Sequence, residues 1–110
     1  MDATSWSPVD APWIDTDASG HILNCHPGAG PLIGYSLQGA RGRILPFMFI
    51  SGRPDSSQLT RAALGHPVEL HGVVRPRDRR GIPVRCRIAP APNDGTFQPV
   101  LRWTFTATGS

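Results

Sequence analysis

Few groups in this chain could do chemistry: two cysteines, four histidines, eight carboxylates and eleven arginines, with no lysine. Cys25 and Cys86 lie far apart and form no Cys-x-x-Cys pair, and no His/Cys cluster has zinc spacing. Neither a disulfide framework nor a structural metal is expected from that pattern. A free cysteine behaves mainly as a small hydrophobe. Cys86 alternates with Val84 and Ile88, and Cys25 follows Asn24 in a short strand-like run, so both read as core or sheet residues. Serine, histidine and aspartate are plentiful, yet none stands in a nucleophile-elbow pattern. Gly28-Ala29-Gly30 runs into Pro31 and is a poor imitation of a phosphate loop. Paired carboxylates at helical spacing are absent. With no site constellation to carry a reaction, the chain reads as a binding module and not an enzyme.

The main electrostatic feature is Arg75-Pro76-Arg77-Asp78-Arg79-Arg80, continuing to Arg85 and Arg87, in a chain of net charge +3. Arginines can neutralise nucleic-acid phosphates. A single-strand binder would interleave stacking aromatics, and this run has none. A solvated hairpin, or a face for an acidic protein partner, is the stronger reading, so nucleic acid is not an expected partner.

These groups must be held by a fold. At 110 residues the chain is one domain's worth. No apolar stretch is long enough to span a bilayer, and Met1 to Asp10 lacks the pattern of a secretion signal, which makes the cytoplasm the expected location. Twelve glycines and twelve prolines argue for many short elements joined by turns. Residues 1–11 lack periodicity and read as a flexible lead-in. Trp13 to Asp17 and His21 to Cys25 read as two short strands joined by the turn Asp17-Ala18-Ser19-Gly20. His26-Pro27 opens a short helix that Gly34 can end. Ile44 to Ile50 is an apolar run whose period decides nothing. Asp55 with Gln58 forms a capping-box pattern, Leu59, Ala62 and Ala63 give an apolar helix face, and Gly65 with Pro67 supplies the stop. Three segments then alternate with the period of a half-buried strand: Val68 to Val74, Val84 to Ile88 and Leu101 to Phe105. Arg77 to Gly81 and Asn93-Asp94-Gly95 are the connecting turns. The order predicts an α+β fold, an antiparallel sheet with short helices packed on one face.

At these residues the chain resembles a known family. Ile14 to Pro27, with its Asp17-x-x-Gly20 hairpin and His26-Pro27 helix start, is similar to the opening of a PAS domain. So are Leu32-Ile33-Gly34-Tyr35-Ser36 and the following Gly42-Arg43. Gly81, Asp94-Gly95 and Leu101 to Phe105 resemble the last three PAS strands. His26 stands where Asn is common, and Gly30-Pro31 replaces good helix formers.

The resemblance implies a five-stranded sheet in the order 2-1-5-4-3 over residues 12–108. It implies a sensory or regulatory module of a signal-transduction protein, which detects a signal or small ligand, associates with protein partners and passes the signal to an output domain outside this chain. In flavin light sensors of this family a reactive Cys follows the Gly-Arg by two positions. Here Leu45 holds that position, and a leucine cannot form the thiol adduct, so flavin–cysteinyl photochemistry is excluded. Haem-binding members use a His on the long central helix. That helix has none here, and His66 follows its Gly65 stop, so haem is not expected. An apolar ligand pocket would be lined by Phe47, Met48, Phe49, Leu59, Leu64, Val74, Trp103 and Phe105, residues that form a filled core if no ligand exists. Members of the family commonly dimerise. Trp6, Val9 and Trp13 have no evident core role and are the expected homodimer contacts, with Asp2, Asp10 and Glu69 as the acids that would answer Arg85, Arg87 and Arg102.

Overall fold

A computed structural model describes residues 12–77, 80–91 and 100–107. Strands β1 (Trp13–Thr16) and β2 (Ile22–Cys25) form the first hairpin. A 3-10 turn at Pro27–Ala29 runs into α1 (Gly30–Ile33), followed by α2 (Leu37–Ala40) and a second 3-10 turn at Leu45–Met48. Then come β3 (Phe49–Ser51), α3 (Ser56–Ala63), β4 (Val68–Val74), β5 (Ile82–Pro90) and β6 (Leu101–Ala107). All strands join one antiparallel sheet in the order β2-β1-β6-β5-β4-β3.

The five expected strands appear in the expected order, and β3 adds a sixth beyond β4. Three residues are too few to show a period, which is why the apolar run gave no sign of it. Close backbone approach makes the pairing possible. Phe49 opposes Val74 and Ser51 opposes Val73 across an irregular register. A Cβ on Gly72 would stand 2.7 Å from the Ser51 carbonyl oxygen.

Local side-chain bonds fix the element ends. Asp17 Oδ1 accepts the backbone N–H groups of Ser19 and His21, both at 2.9 Å, and Gly20 takes a φ of +95° to close the hairpin. His26 Nδ1 accepts the Gly28 N–H at 3.0 Å, so histidine does the capping work that the resemblance assigns to Asn. Gly34 ends α1 at a φ of +73°. At α3 the capping box is complete: Asp55 accepts from the Gln58 N–H at 2.8 Å, and Gln58 accepts from the Asp55 N–H at 3.0 Å.

The core lies between the inner sheet face and the helices. Ile14, Leu70, Val74, Val84, Cys86, Ile88, Leu101, Trp103 and Phe105 cover that face, with Leu32 and Ile33 of α1, Leu45, and Leu59 and Ala62 of α3 packed onto it. Val84, Cys86, Trp103 and Phe105 point inward as their alternation requires. Trp103 is the largest fully buried side chain. Its Nε1–H donates to Thr16 Oγ1 at 2.9 Å, and the Thr16 hydroxyl donates onward to the Asp17 carbonyl at 2.8 Å.

Partial burial pushes the Asp17 carboxyl up. The N–H groups of His21 and Ser19 and the His21 ring outweigh that and hold it below the usual carboxylate range. A depressed carboxylate stabilises the fold above its unfolded pKa, and that stability is lost as pH falls through the folded value. Asp17→Asn therefore flattens the fall in stability on acidification, followed as the urea midpoint from neutral pH downward. Thr16→Val keeps the side-chain shape and strands the buried indole N–H, which costs about 1–3 kcal/mol. Urea denaturation should show this loss, and Trp103→Phe should cost less in the Thr16→Val background than in the unaltered chain, because the hydrogen bond is already gone there.

Candidate functional site

The residues expected to line an interior pocket divide into two groups. Phe49, Leu59, Val74, Trp103 and Phe105 are buried together, with ring centroids 6.2 Å apart for Phe49–Trp103 and 6.4 Å for Phe49–Phe105. Met48 is half-buried against them. Phe47 and Leu64 do not join this group, being 67% and 72% exposed. The 3-10 turn at Leu45–Met48 buries Leu45 and Pro46 and leaves Phe47 outside. Leu64 follows Leu59 by five residues, so the helical period carries it away from the buried face of α3.

On the outer sheet face, register aligns Glu69, Arg87, Thr104 and Trp13 in one row, and His71, Arg85 and Thr106 in the next. A third row runs Ala89, Arg102, Asp15, Asn24. Arg102 is clamped there. Its Nε and Nη2 donate to the two oxygens of Asp15 at 2.8 and 3.0 Å, and its guanidinium lies 4.0 Å over the Trp13 ring. The hydrogen bonds it donates to Asp15 push the arginine pKa up against the opposing effect of burial.

Two expectations change here. The acid that answers Arg102 is Asp15, which is buried; Glu69 instead stands opposite Arg87. Asp2 and Asp10 lie outside the described residues. Trp13 is half-buried under Arg102 and has the His26 ring at 5.8 Å, so part of its surface is already covered within the chain. Trp6 and Val9, the other expected dimer contacts, lie outside the described residues.

A third feature was not foreseen. An open groove of about 550 Å³ is lined by Tyr35, Arg43, Phe47, Met48, Arg75 and Arg77, among others. Arg43 and Arg77 both approach the Tyr35 ring, at 4.1 and 5.3 Å from its centroid. Tyr35 and Arg43 were visible only as parts of a motif, and Arg75 and Arg77 only as parts of a basic run. Nothing in their spacing says that these segments meet.

No family model and no curated protein matches this sequence. Solved structures do match its shape. The PAS domain of an HTR-like protein from Haloarcula marismortui aligns with a TM-score of 0.75 at 16% identity, over 96% of this chain and 90% of that one. The PAS domain of nitrogen regulation protein NR(II) from Vibrio parahaemolyticus aligns at 0.68 and 18%, over 89% of each chain. A fungal LOV domain photoreceptor aligns at 0.68 and 18%, over 98% of this chain and 81% of that one. The fold is the PAS fold.

Within this PAS fold, Leu45 is fully buried in its 3-10 turn. His66 is exposed beyond α3, and His71 is exposed on the outer face of β4. His21 pairs with Asp17 at 3.2 Å. Among the described residues, no three His, Cys, Asp or Glu side chains gather as a metal site. Both cysteines are free: Cys25 is half-buried on edge strand β2, and Cys86 is fully buried on β5. Strands β1 and β6 separate them, which sets them about 14 Å apart at one strand spacing of roughly 4.8 Å each, beyond the reach of a disulfide. Burial raises both thiol pKa values, far more for Cys86. An aromatic disulfide reagent should therefore find two thiols in denatured protein. In native protein Cys25 reacts slowly, and Cys86 reacts only at the rate of unfolding.

Proposed function

We propose that this PAS domain is the sensory and regulatory module of a signal-transduction protein, working through protein–protein association and without catalysis of its own. Residues 12–108 form the domain and residues 1–11 its lead-in. The observation that carries this reading is a PAS fold whose inner face is packed with its own side chains, Trp103, Phe49 and Phe105 foremost. That packing favours signal reading by docking and self-association over capture of an apolar ligand inside the sheet. It also favours a chain free of flavin adduct and haem. Among the described residues no helix is long and apolar enough to cross a membrane. We place the protein in the cytoplasm, with its output domain or partner supplied from outside this chain.

Self-association runs through the lead-in, where Trp6 and Val9 supply apolar contact beside Trp13. The outer sheet face is a poorer contact, because Arg85 and Arg87 of two copies would repel each other there. It is also a poor surface for nucleic acid: its aromatic, Trp13, is already stacked under Arg102.

Sedimentation of the intact chain should give a homodimer, and deletion of residues 1–11 should shift it toward monomer. A dimer that survives the deletion would move the interface to the sheet, and a monomeric intact chain would remove self-association from the reading. The purified protein should be colourless above about 350 nm, where flavin and haem absorb. A coloured protein would refute the claim that it works without such a cofactor.

A further inference from the structure

We propose that the groove beside Tyr35 binds an organic acid, a carboxylate carried on an aromatic or aliphatic body, at the surface of the domain and not inside its sheet. Arg43 and Arg77 hold their guanidinium carbons within 5.3 Å of the Tyr35 ring centroid, and Arg75 lines the same groove. Among the described residues the ion pairs are Asp17–His21 and Asp15–Arg102, and neither reaches these three arginines. Arg43 and Arg77 beside one ring, with Arg75 on the same groove, repel each other, and among the described residues no carboxylate lines the groove to offset them. An anion placed between them removes that repulsion.

The backbone that carries two of these cations, and the side chain of the third, are fixed by hydrogen bonds. The backbone N–H of Arg75 donates to the Met48 carbonyl at 2.8 Å, and the backbone N–H of Arg77 donates to the Ile33 carbonyl at 3.1 Å. Pro76 between them is buried, while both arginine side chains are exposed. The Arg43 Nε donates to the Gly39 carbonyl at 2.8 Å. A planar guanidinium fork matches a carboxylate better than an ammonium group does.

The rest of the groove is apolar. Phe47 is 67% exposed and Ile50 is 59% exposed, beside half-buried Met48. A bare inorganic anion would leave these side chains wet. The volume of about 550 Å³ falls in the range of small-molecule sites, about 300–1,000 Å³, and leaves room for a hydrocarbon body. Cations and exposed apolar side chains lining one groove suit an amphipathic acid.

The test is an amide NMR titration of the isotope-labelled full chain with naphthoate and, separately, with its neutral analogue naphthamide. The expected shifts centre on Tyr35, Met48, Arg75 and Arg77. Naphthoate should bind about tenfold or more tightly than naphthamide at about 20 mM salt, with the advantage shrinking toward about 0.5 M salt. The double variant Arg75→Gln, Arg77→Gln should lose about tenfold for naphthoate and leave naphthamide unchanged. If that variant does not fold, the salt dependence on the unaltered chain decides the question. Equal affinity for acid and amide, shifts centred elsewhere, or no binding of naphthoate at about 5 mM would overturn the proposal. The site goes beyond the association reading above, and its failure would leave the sedimentation results untouched.

Discussion

The structure depends on one hydrogen bond at the centre of its sheet. Trp103 brings the largest fully buried side chain to the inner face, and burying an indole is favourable only if its N–H finds an acceptor. Thr16 supplies that acceptor from the neighbouring strand. Trp103 stands directly opposite Ile14, so Thr16, two residues on, is its diagonal neighbour on the same face. Threonine suits the place because its hydroxyl both accepts from the indole and donates to the Asp17 carbonyl. No buried side-chain polar atom among the described residues is left without a partner.

The same strand pairing builds the outer face. Residues 14 and 16 of β1 face inward, so 13 and 15 face outward; on β6, 101, 103 and 105 face inward, so 102, 104 and 106 face outward. The register that brings Thr16 to Trp103 therefore also brings Asp15 to Arg102 and Arg102 over Trp13. A slip of one residue would turn Arg102 into the core and Trp103 into water, so alternative pairings of β1 with β6 are strongly disfavoured. Core lock and surface clamp are two consequences of one register. The Arg102 side chain is accordingly a fixed part of the sheet and not a free cation of the basic face.

Much of this was legible because the inner and outer faces differ in polarity along each strand. The alternation at Val84 to Ile88 and Leu101 to Phe105 marks strands with one buried face, and that is what they are. The capping box at Asp55 and Gln58 is local chemistry, complete within four residues, and needs no tertiary context. Strand β3 could not be read, because it exists only where Gly72 lets another backbone come close. Phe47 and Leu64 look like core by type; a 3-10 turn and a helix end, both geometric facts, put them in solvent. Asp15 reads as a hairpin residue until β6 is laid beside it. The arginine groove joins segments around residues 35, 43 and 75–77, and no local pattern reports such a meeting.

Strand direction ties the groove to the start of the domain. β1 begins beside the end of β6, β6 ends beside the start of β5, and β5 starts beside the end of β4. Pro12, whose carbonyl accepts the Phe105 N–H at 3.0 Å, therefore lies at the same end of the sheet as Arg75 and Arg77. Pro12 stands in line with Phe105, Cys86 and Leu70, so three strand spacings across and five residues along the strand, roughly 20 Å in all, separate it from Arg75. The Arg77 N–H bond to Ile33 and the His26 N–H bond to Trp13 fasten the 26–33 segment across that same end. A fold that packs its interior with its own side chains leaves its ends and surface grooves as the places another molecule can reach.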